Sequence, residues 1–196
     1  GTGHAALPDP RAVDKSVPEY KNPFHPSTYA HFVARKDYRK TYDVYKDDTL
    51  LNRQPKKSRK IFVCLDEQRG QYLVDGLVAM DFPLSSGVKA YPTKTGDYAV
   101  ISKKEDHTSN LYGKMYDAEG KCINYNAEST DPIPEGGRFD GSPMPYWQRL
   151  TNAGLGLHVG KVRRHPVSHG CVRLPRNVAE ILYRQTSIGT PVTIQK

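Results

Sequence analysis

The chain has 196 residues and a formal net charge of +8, from 29 Lys and Arg against 21 Asp and Glu. The mean hydropathy is −0.69, and no apolar run approaches the ~20 residues a spanning helix needs. The 13 Tyr, 5 Phe and 1 Trp still suffice for a core, so one domain of ordinary size with an appended segment is expected.

Residues 1–57 read as that extension. Pro8, Pro10, Pro18, Pro23 and Pro26 keep its first part irregular. Ser27 is a candidate cap for a helix to Lys40, whose Tyr29, Phe32 and Val33 fall at i, i+3 and i+4 and would pack on the main domain. Arg53 to Lys60 holds five basic residues and reads as a solvated link. The main domain, 58–196, then reads as strands: Lys60–Leu65, Gln71–Val74, Gly76–Pro83 after the Asp75-Gly76 turn signal, and Tyr98–Ser102. From Lys103 to Pro143 Gly and Pro recur, and the stretch reads as loop-rich, with His107 a surface histidine. Asp131–Arg149 is a candidate lid.

Beyond Cys171, Pro175 suits the first turn of a helix whose Val178, Ile181 and Leu182 make an apolar face up to Ser187. Gly189 ends it, and Thr190–Gln195 returns as a closing strand. Strands outnumber the one good helix. The expected fold class is therefore mainly β, a sandwich of mixed strands with a short helix after the candidate nucleophile.

The chemistry concentrates in Leu157–Pro175, which reads LHVGKVRRHPVSHGCVRLP and holds three histidines, a serine and a cysteine. A thiol attacks as its thiolate, and a nearby imidazole or cationic surroundings favour that form. If Ser168–Leu174 is a strand, its period of two puts His169, Cys171 and Arg173 on one face. His169 then lies parallel to Cys171 rather than facing it, which favours His158, on a neighbouring strand, as the base. Between Gly141 and Ala179 there is no Asp or Glu against six Lys and Arg. No nucleic-acid motif accompanies this field, and its basic residues are not interleaved with aromatics, so anionic substrate ends fit it better than nucleic acid. Cys64 sits in the apolar run Ile61–Leu65 and reads as a buried structural thiol. An oxidising compartment would permit a Cys64–Cys122 disulfide, which nothing in the sequence supports.

SHGCVRL, with His158-Val159-Gly160 upstream and Met144-Pro145-Tyr146-Trp147 before it, closely resembles the YkuD-type L,D-transpeptidase family, in the branch common in Gram-negative cell envelopes. Leu84-Ser85-Ser86-Gly87 and Pro92-Thr93-Lys94-Thr95-Gly96-Asp97-Tyr98 resemble that family's segments in the same order. The likeness covers roughly Ser58 to Lys196. It departs where the family often has Asn, here Arg173.

The resemblance implies a YkuD-like sandwich and a cysteine-dependent transpeptidase acting on peptidoglycan stem peptides. Cys171 would attack the carbonyl between an L-centre and a terminal D-alanine. His158 would move the proton, while His169 shapes the cysteine's surroundings. The N–H groups of Gly170 and Cys171 would stabilise the oxyanion with the Tyr146 hydroxyl, Ser168 would hydrogen-bond within the site, and Arg173 would meet a carboxylate. A third group should orient His158; the sequence does not identify it, and no Asp or Glu lies nearby that would. His165 reads as a loop residue near the substrate. The resemblance implies no cofactor and no metal, a place in the periplasm or cell envelope after removal of a signal or lipid anchor, and a second stem or a wall-attached lipoprotein as acceptor. The start, GTGHAALPDP, has no signal-peptide pattern. Two other readings stay open: an L,D-carboxypeptidase or cross-link-cleaving amidase on the same fold, and a non-catalytic zinc module of His158, His165, His169 and Cys171.

Overall fold

The computed structural model describes residues 6–196. Helix α1 (Tyr29–Val33) is followed by β1 (Tyr45–Lys46), α2 (Asp48–Leu51), β2 (Arg59–Cys64), β3 (Arg69–Val74) and β4 (Leu77–Pro83). Next come β5 (Gly96–Ala99), β6 (Ser102–Lys104), β7 (Thr108–Tyr116), β8 (Cys122–Glu128), β9 (Arg138–Pro143) and β10 (Trp147–Arg149). The chain closes with β11 (Gly156–Val159), β12 (Val172–Leu174), α3 (Arg176–Gln185) and β13 (Pro191–Gln195). No helix is long and apolar enough to cross a membrane.

The strands form a six-stranded sheet, β1-β4-β3-β2-β13-β5, a four-stranded sheet, β12-β11-β10-β6, and a three-stranded sheet, β8-β7-β9. Both of the larger sheets mix parallel and antiparallel pairs: β13 runs parallel to β2, and β12 parallel to β11. One apolar cluster draws on both, with Ile61, Tyr72 and Val192 from the first, Leu157 and Val172 from the second, and Leu182 of α3 between. This is the mainly β architecture with its helix after Cys171 that the sequence led one to expect.

Three expectations need correction. The short helix expected from Ser27 to Lys40 spans only Tyr29–Val33, and its cap is Thr28, whose hydroxyl accepts the His31 N–H. The loop-rich stretch to Pro143 contains four strands, β6 to β9. Cys64, Cys122 and Cys171 are all free, and Cys64 is only partly buried, so the disulfide is not formed.

The segment before residue 58 is bound into the main sheet rather than hung from it. β1 pairs with β4, and Leu50 and Leu51 of α2 enter the main core. Beneath α1 lies Arg69–Asp81, an ion pair of 2.6 Å whose side chains are both 0% exposed. Asp81 also accepts the Tyr29 and Tyr38 hydroxyls at 2.6 and 2.7 Å, and Arg69 donates to the Thr41 and Asp43 carbonyls. A hydrogen bond to a buried charge contributes about 1.5–3 kcal/mol, and a buried ion left without its partner costs about 3–5. Urea denaturation should accordingly find Tyr38→Phe less stable by ~2 kcal/mol and Asp81→Ala by ~4.

Candidate active site

β11 and β12 lie side by side in parallel register, with His158 opposite Arg173. The loop between them leaves the sheet after Val159 and returns through Ser168–Cys171, so His158 and Cys171 stand at the two ends of one connection. That return is a tight corner and not a strand, which overturns the one-face arrangement of His169, Cys171 and Arg173. Gly170 sits at φ +123, a conformation that side chains avoid. Gly87 packs flat on it: a Cβ there would strike the Gly170 backbone and the Tyr91 carbonyl. The corner is stapled by Ser168, whose hydroxyl donates to the Cys171 carbonyl and accepts the Gly170 N–H. The Thr93 hydroxyl donates to the Gly170 carbonyl at 2.6 Å.

His158 is 5% exposed, and its Nδ1–H donates to the Val159 carbonyl at 2.6 Å. A carbonyl can only accept, so the neutral ring carries its proton on Nδ1 and keeps a lone pair on Nε2. Burial pushes its pKa down to about 4; the Arg173 and His107 charges push the same way, and the Val159 carbonyl only partly opposes them. Burial pushes the Cys171 thiol up to about 11, against the Gly156 N–H and the Arg149 and Arg173 cations, which draw it down. The S–H points at the Gly154 carbonyl, 3.2 Å away. Burial therefore favours the neutral form of both groups, and for the thiol it outweighs the surrounding cations that would favour a thiolate.

Both side chains line a cavity of about 710 Å³. The three-stranded sheet forms its outer wall through Ser109–Tyr112 of β7 with Ser142 and Pro143 of β9. No Asp or Glu lines it, while Lys94, Arg149, Lys161 and Arg173 do. Arg173 is half-buried and, among the described residues, has no carboxylate at ion-pair distance. Among the described residues no three His, Cys, Asp or Glu side chains converge as a metal would require, so the zinc reading lacks a ligand set.

A model of the YkuD family, the L,D-transpeptidase catalytic domain, matches residues 58–194. The chain belongs to that family. Probable L,D-transpeptidase 3 of Mycobacterium tuberculosis is 31% identical over 121 residues, 58% of this chain and 38% of that protein. The solved L,D-transpeptidase of Mycobacterium smegmatis aligns at a TM-score of 0.55 and 22% identity, covering 71% of this chain and 59% of that one. L,D-transpeptidase 3 of M. tuberculosis with a faropenem-derived adduct aligns at 0.54 and 24%, covering 71% and 60%. The chain thus spans less than two thirds of the length of the relatives it matches.

Within this YkuD domain the expected site residues fall into two groups. Cys171, His158, Ser168, Gly170, His169 and Arg173 all reach the cavity. His169, however, turns to the lid sheet: its ring stacks on Tyr112 at 4.4 Å and meets Tyr91 edge-on at 4.8 Å. Tyr146 is not brought to the cavity wall. Its backbone sits at φ +55, and its ring packs edge-on against Tyr183. His165 is exposed and also outside the cavity lining. Of the segment read as a candidate lid, Ser142–Met144, Trp147 and Arg149 line the cavity, beside Ser109–Tyr112 of β7.

Sequence reasoning missed Tyr112, Tyr91 and His107. His107 is stacked on the 3%-exposed Trp147 at 4.8 Å and 18°, and Trp147 in turn tilts over His158 at 6.1 Å. Burial first, then Arg149 and Lys104, lowers the His107 pKa, so this second cavity imidazole also favours its neutral form. The Asn110-Leu111-Tyr112-Gly113 run was the available signal for the lid aromatics; nothing local marked His107.

The resting ionisation sets a pH profile. An unfolded thiol titrates near 9 and the folded one near 11, so the Cys171 contribution to stability is complete below about 9 and lost as pH rises to 11. His158 contributes fully above about 6.5, and that is lost as pH falls toward 4. Iodoacetamide, with digestion to locate the adduct, should alkylate Cys171 more slowly in the folded protein than in urea at about pH 8. The folded rate should still be climbing through pH 10; a plateau below pH 8 would mean a preformed thiolate.

Proposed function

We propose that this domain is a peptidoglycan L,D-transpeptidase of the cell envelope, with Cys171 as nucleophile and His158 as base. The observation that carries the reading is a half-buried thiol and a backbone-anchored neutral imidazole at the two ends of one loop, in a cavity lined by cations and no acid. Family membership supplies the reaction type. In the relatives' family name the scissile bond joins an L-centre to a D-residue, and the donor here is taken to be a stem tetrapeptide.

The steps follow from the neutral pair. As Sγ attacks the carbonyl carbon of the donor, its proton passes to the Nε2 lone pair of His158, and charge develops on the former carbonyl oxygen. The Gly170 N–H is already taken by Ser168, so the Cys171 N–H is the corner's backbone donor for that oxyanion. Collapse expels the D-alanine amine, which takes the proton from His158, and leaves an acyl-thioester. An amine of a second stem, or of a wall-attached lipoprotein, then attacks the thioester and restores the thiol. Deferring thiolate formation to the moment of attack keeps the resting sulfur inert toward adventitious electrophiles. Arg173, unpaired and half-buried beside the sulfur, is placed to receive a donor carboxylate.

The hydrolase reading differs only in what resolves the thioester. Incubation of a defined tetrapeptide muropeptide with an acceptor should give cross-linked dimer by mass spectrometry; tripeptide alone would mean that water resolves it. Cys171→Ala and Cys171→Ser should abolish both products. His158→Ala should cost about 100-fold or more in kcat, the ordinary worth of a general base.

The same nucleophile should open a strained β-lactam. A carbapenem should add one drug mass to the intact protein, mapped to the Ser168–Arg173 peptide, and raised salt should slow the addition because exposed cations are screened over ~8–10 Å. An adduct on Cys64 or Cys122 instead would remove Cys171 from the nucleophile's place.

A further inference from the structure

Arg164 lies in the middle of the 160–171 loop at φ +60, a left-handed conformation unusual for a residue with a Cβ. Its guanidinium explains how that backbone is held. Nη1 donates to the Glu67 and Gln68 carbonyls at 2.7 and 2.6 Å, and Nη2 to the Tyr38 carbonyl at 3.3 Å. Gln68 is itself at φ +49, so one side chain locks two turns in uncommon geometry against each other.

From Gln68 the connection continues by hydrogen bonds to the nucleophile. The Gln68 amide accepts the Ser86 N–H at 3.0 Å and donates to the Ser86 hydroxyl at 2.8 Å. The Ser86 carbonyl accepts the N–H groups of Val167 and Ser168 at 2.8 and 3.0 Å. The Ser168 hydroxyl then staples the Gly170–Cys171 corner. The Arg163 N–H adds a second tether, to the Ser85 hydroxyl at 2.7 Å. Tyr38 lies outside residues 58–194, and its own hydroxyl is fixed on Asp81. The segment before the family's domain is therefore wired to the loop that presents the thiol.

We propose that Arg164 is a positioning residue: by tying the 160–171 loop to the 67–68 turn and to Tyr38, it holds the Cys171 thiol in its buried seat against the Gly154 carbonyl. The proposal rests on Cys171 being the nucleophile, and its test reads the thiol directly. Arg164→Gly suits that test, because glycine adopts φ +60 freely, so the guanidinium's three carbonyl contacts are lost without added backbone strain. Loosening the loop lets water reach the sulfur while Arg149 and Arg173 still face it, so thiolate forms at lower pH.

Alkylation of Cys171 in folded Arg164→Gly at about pH 8 should therefore run several-fold faster than in wild type, with the profile shifted down from about 11. Turnover of a stem-peptide donor should move the other way, with kcat lower by about tenfold or more and KM changed less. A role confined to stability predicts a lower melting temperature, with the alkylation profile and kcat of the folded protein at wild-type values; that result would overturn the proposal. Should Arg164→Gly not fold, Arg164→Lys, which cannot reach three carbonyls at once, should show the same opposed changes with smaller amplitude, and a wild-type profile there would be equally fatal. A wild-type protein that forms no acyl-enzyme, with the alkylation shift still present in the variant, would remove the transpeptidase reading and leave the positioning role standing.

Discussion

The pairing of Arg69 with Asp81, wholly out of water, is the constraint around which the molecule is built. Burying two charges costs more than their attraction returns unless every remaining donor and lone pair is satisfied. Here the satisfaction comes from residues remote in sequence: hydroxyls of Tyr29 and Tyr38, carbonyls of Thr41 and Asp43, and the Gln71 amide. The Phe32 and Tyr38 rings flank the guanidinium at 5.2 and 5.0 Å. The six-stranded sheet and the segment before it are thus one solution to one electrostatic problem. Because Arg69 adjoins Gln68, whose side chain holds Ser86, the rigidity of that pair reaches the corner that carries the thiol.

At the site the same desolvation acts without a charged partner, and the outcome is opposite in kind. Cys171 and His158 meet burial by staying neutral. The cations around them are not close enough to reverse this for an unoccupied cavity, yet they remain unspent. A bound anion would meet Lys94, Arg149, Lys161 and Arg173 with no internal carboxylate competing for them. The cavity is accordingly a place where charge is welcomed from outside and suppressed within.

The strands of the large sheet were legible in the sequence because apolar runs and turn residues mark them: β2, β3, β4 and β13 fall within a residue or two of the expected places. Pro175 stands one residue before α3, as its N-cap, and the helix stops at Gln185, short of Ser187 and Gly189. The three-stranded sheet was not read from the sequence. Ile123, Tyr125 and Ala127 of β8 do alternate with polar residues, but Ile123 and Tyr125 are exposed and the surrounding Gly and Pro residues pointed to loops. Cys171 and His158 stood out by their motif, whereas the Val159 carbonyl that orients His158 emerged only from the structure. The ionisation of the thiol was not legible either, since nearby basic residues can be counted in a sequence and lost solvent cannot. Tyr146 and Tyr112 show the limit again: which tyrosine reaches the cavity depends on a positive φ at one and a stacking partner, His169, for the other.

The position of β13 has a consequence for how the fold comes into being. It is the last strand in the chain, yet it lies between β2 and β5, with Val192 paired to Ile61 and to Tyr98. During synthesis β2 therefore waits with one edge open until nearly the whole domain has emerged, and β5 has no place in the sheet before then. Pairing so distant in sequence is slow to close. A nascent chain of this design can complete its six-stranded sheet only once β13 has emerged to join β2 and β5.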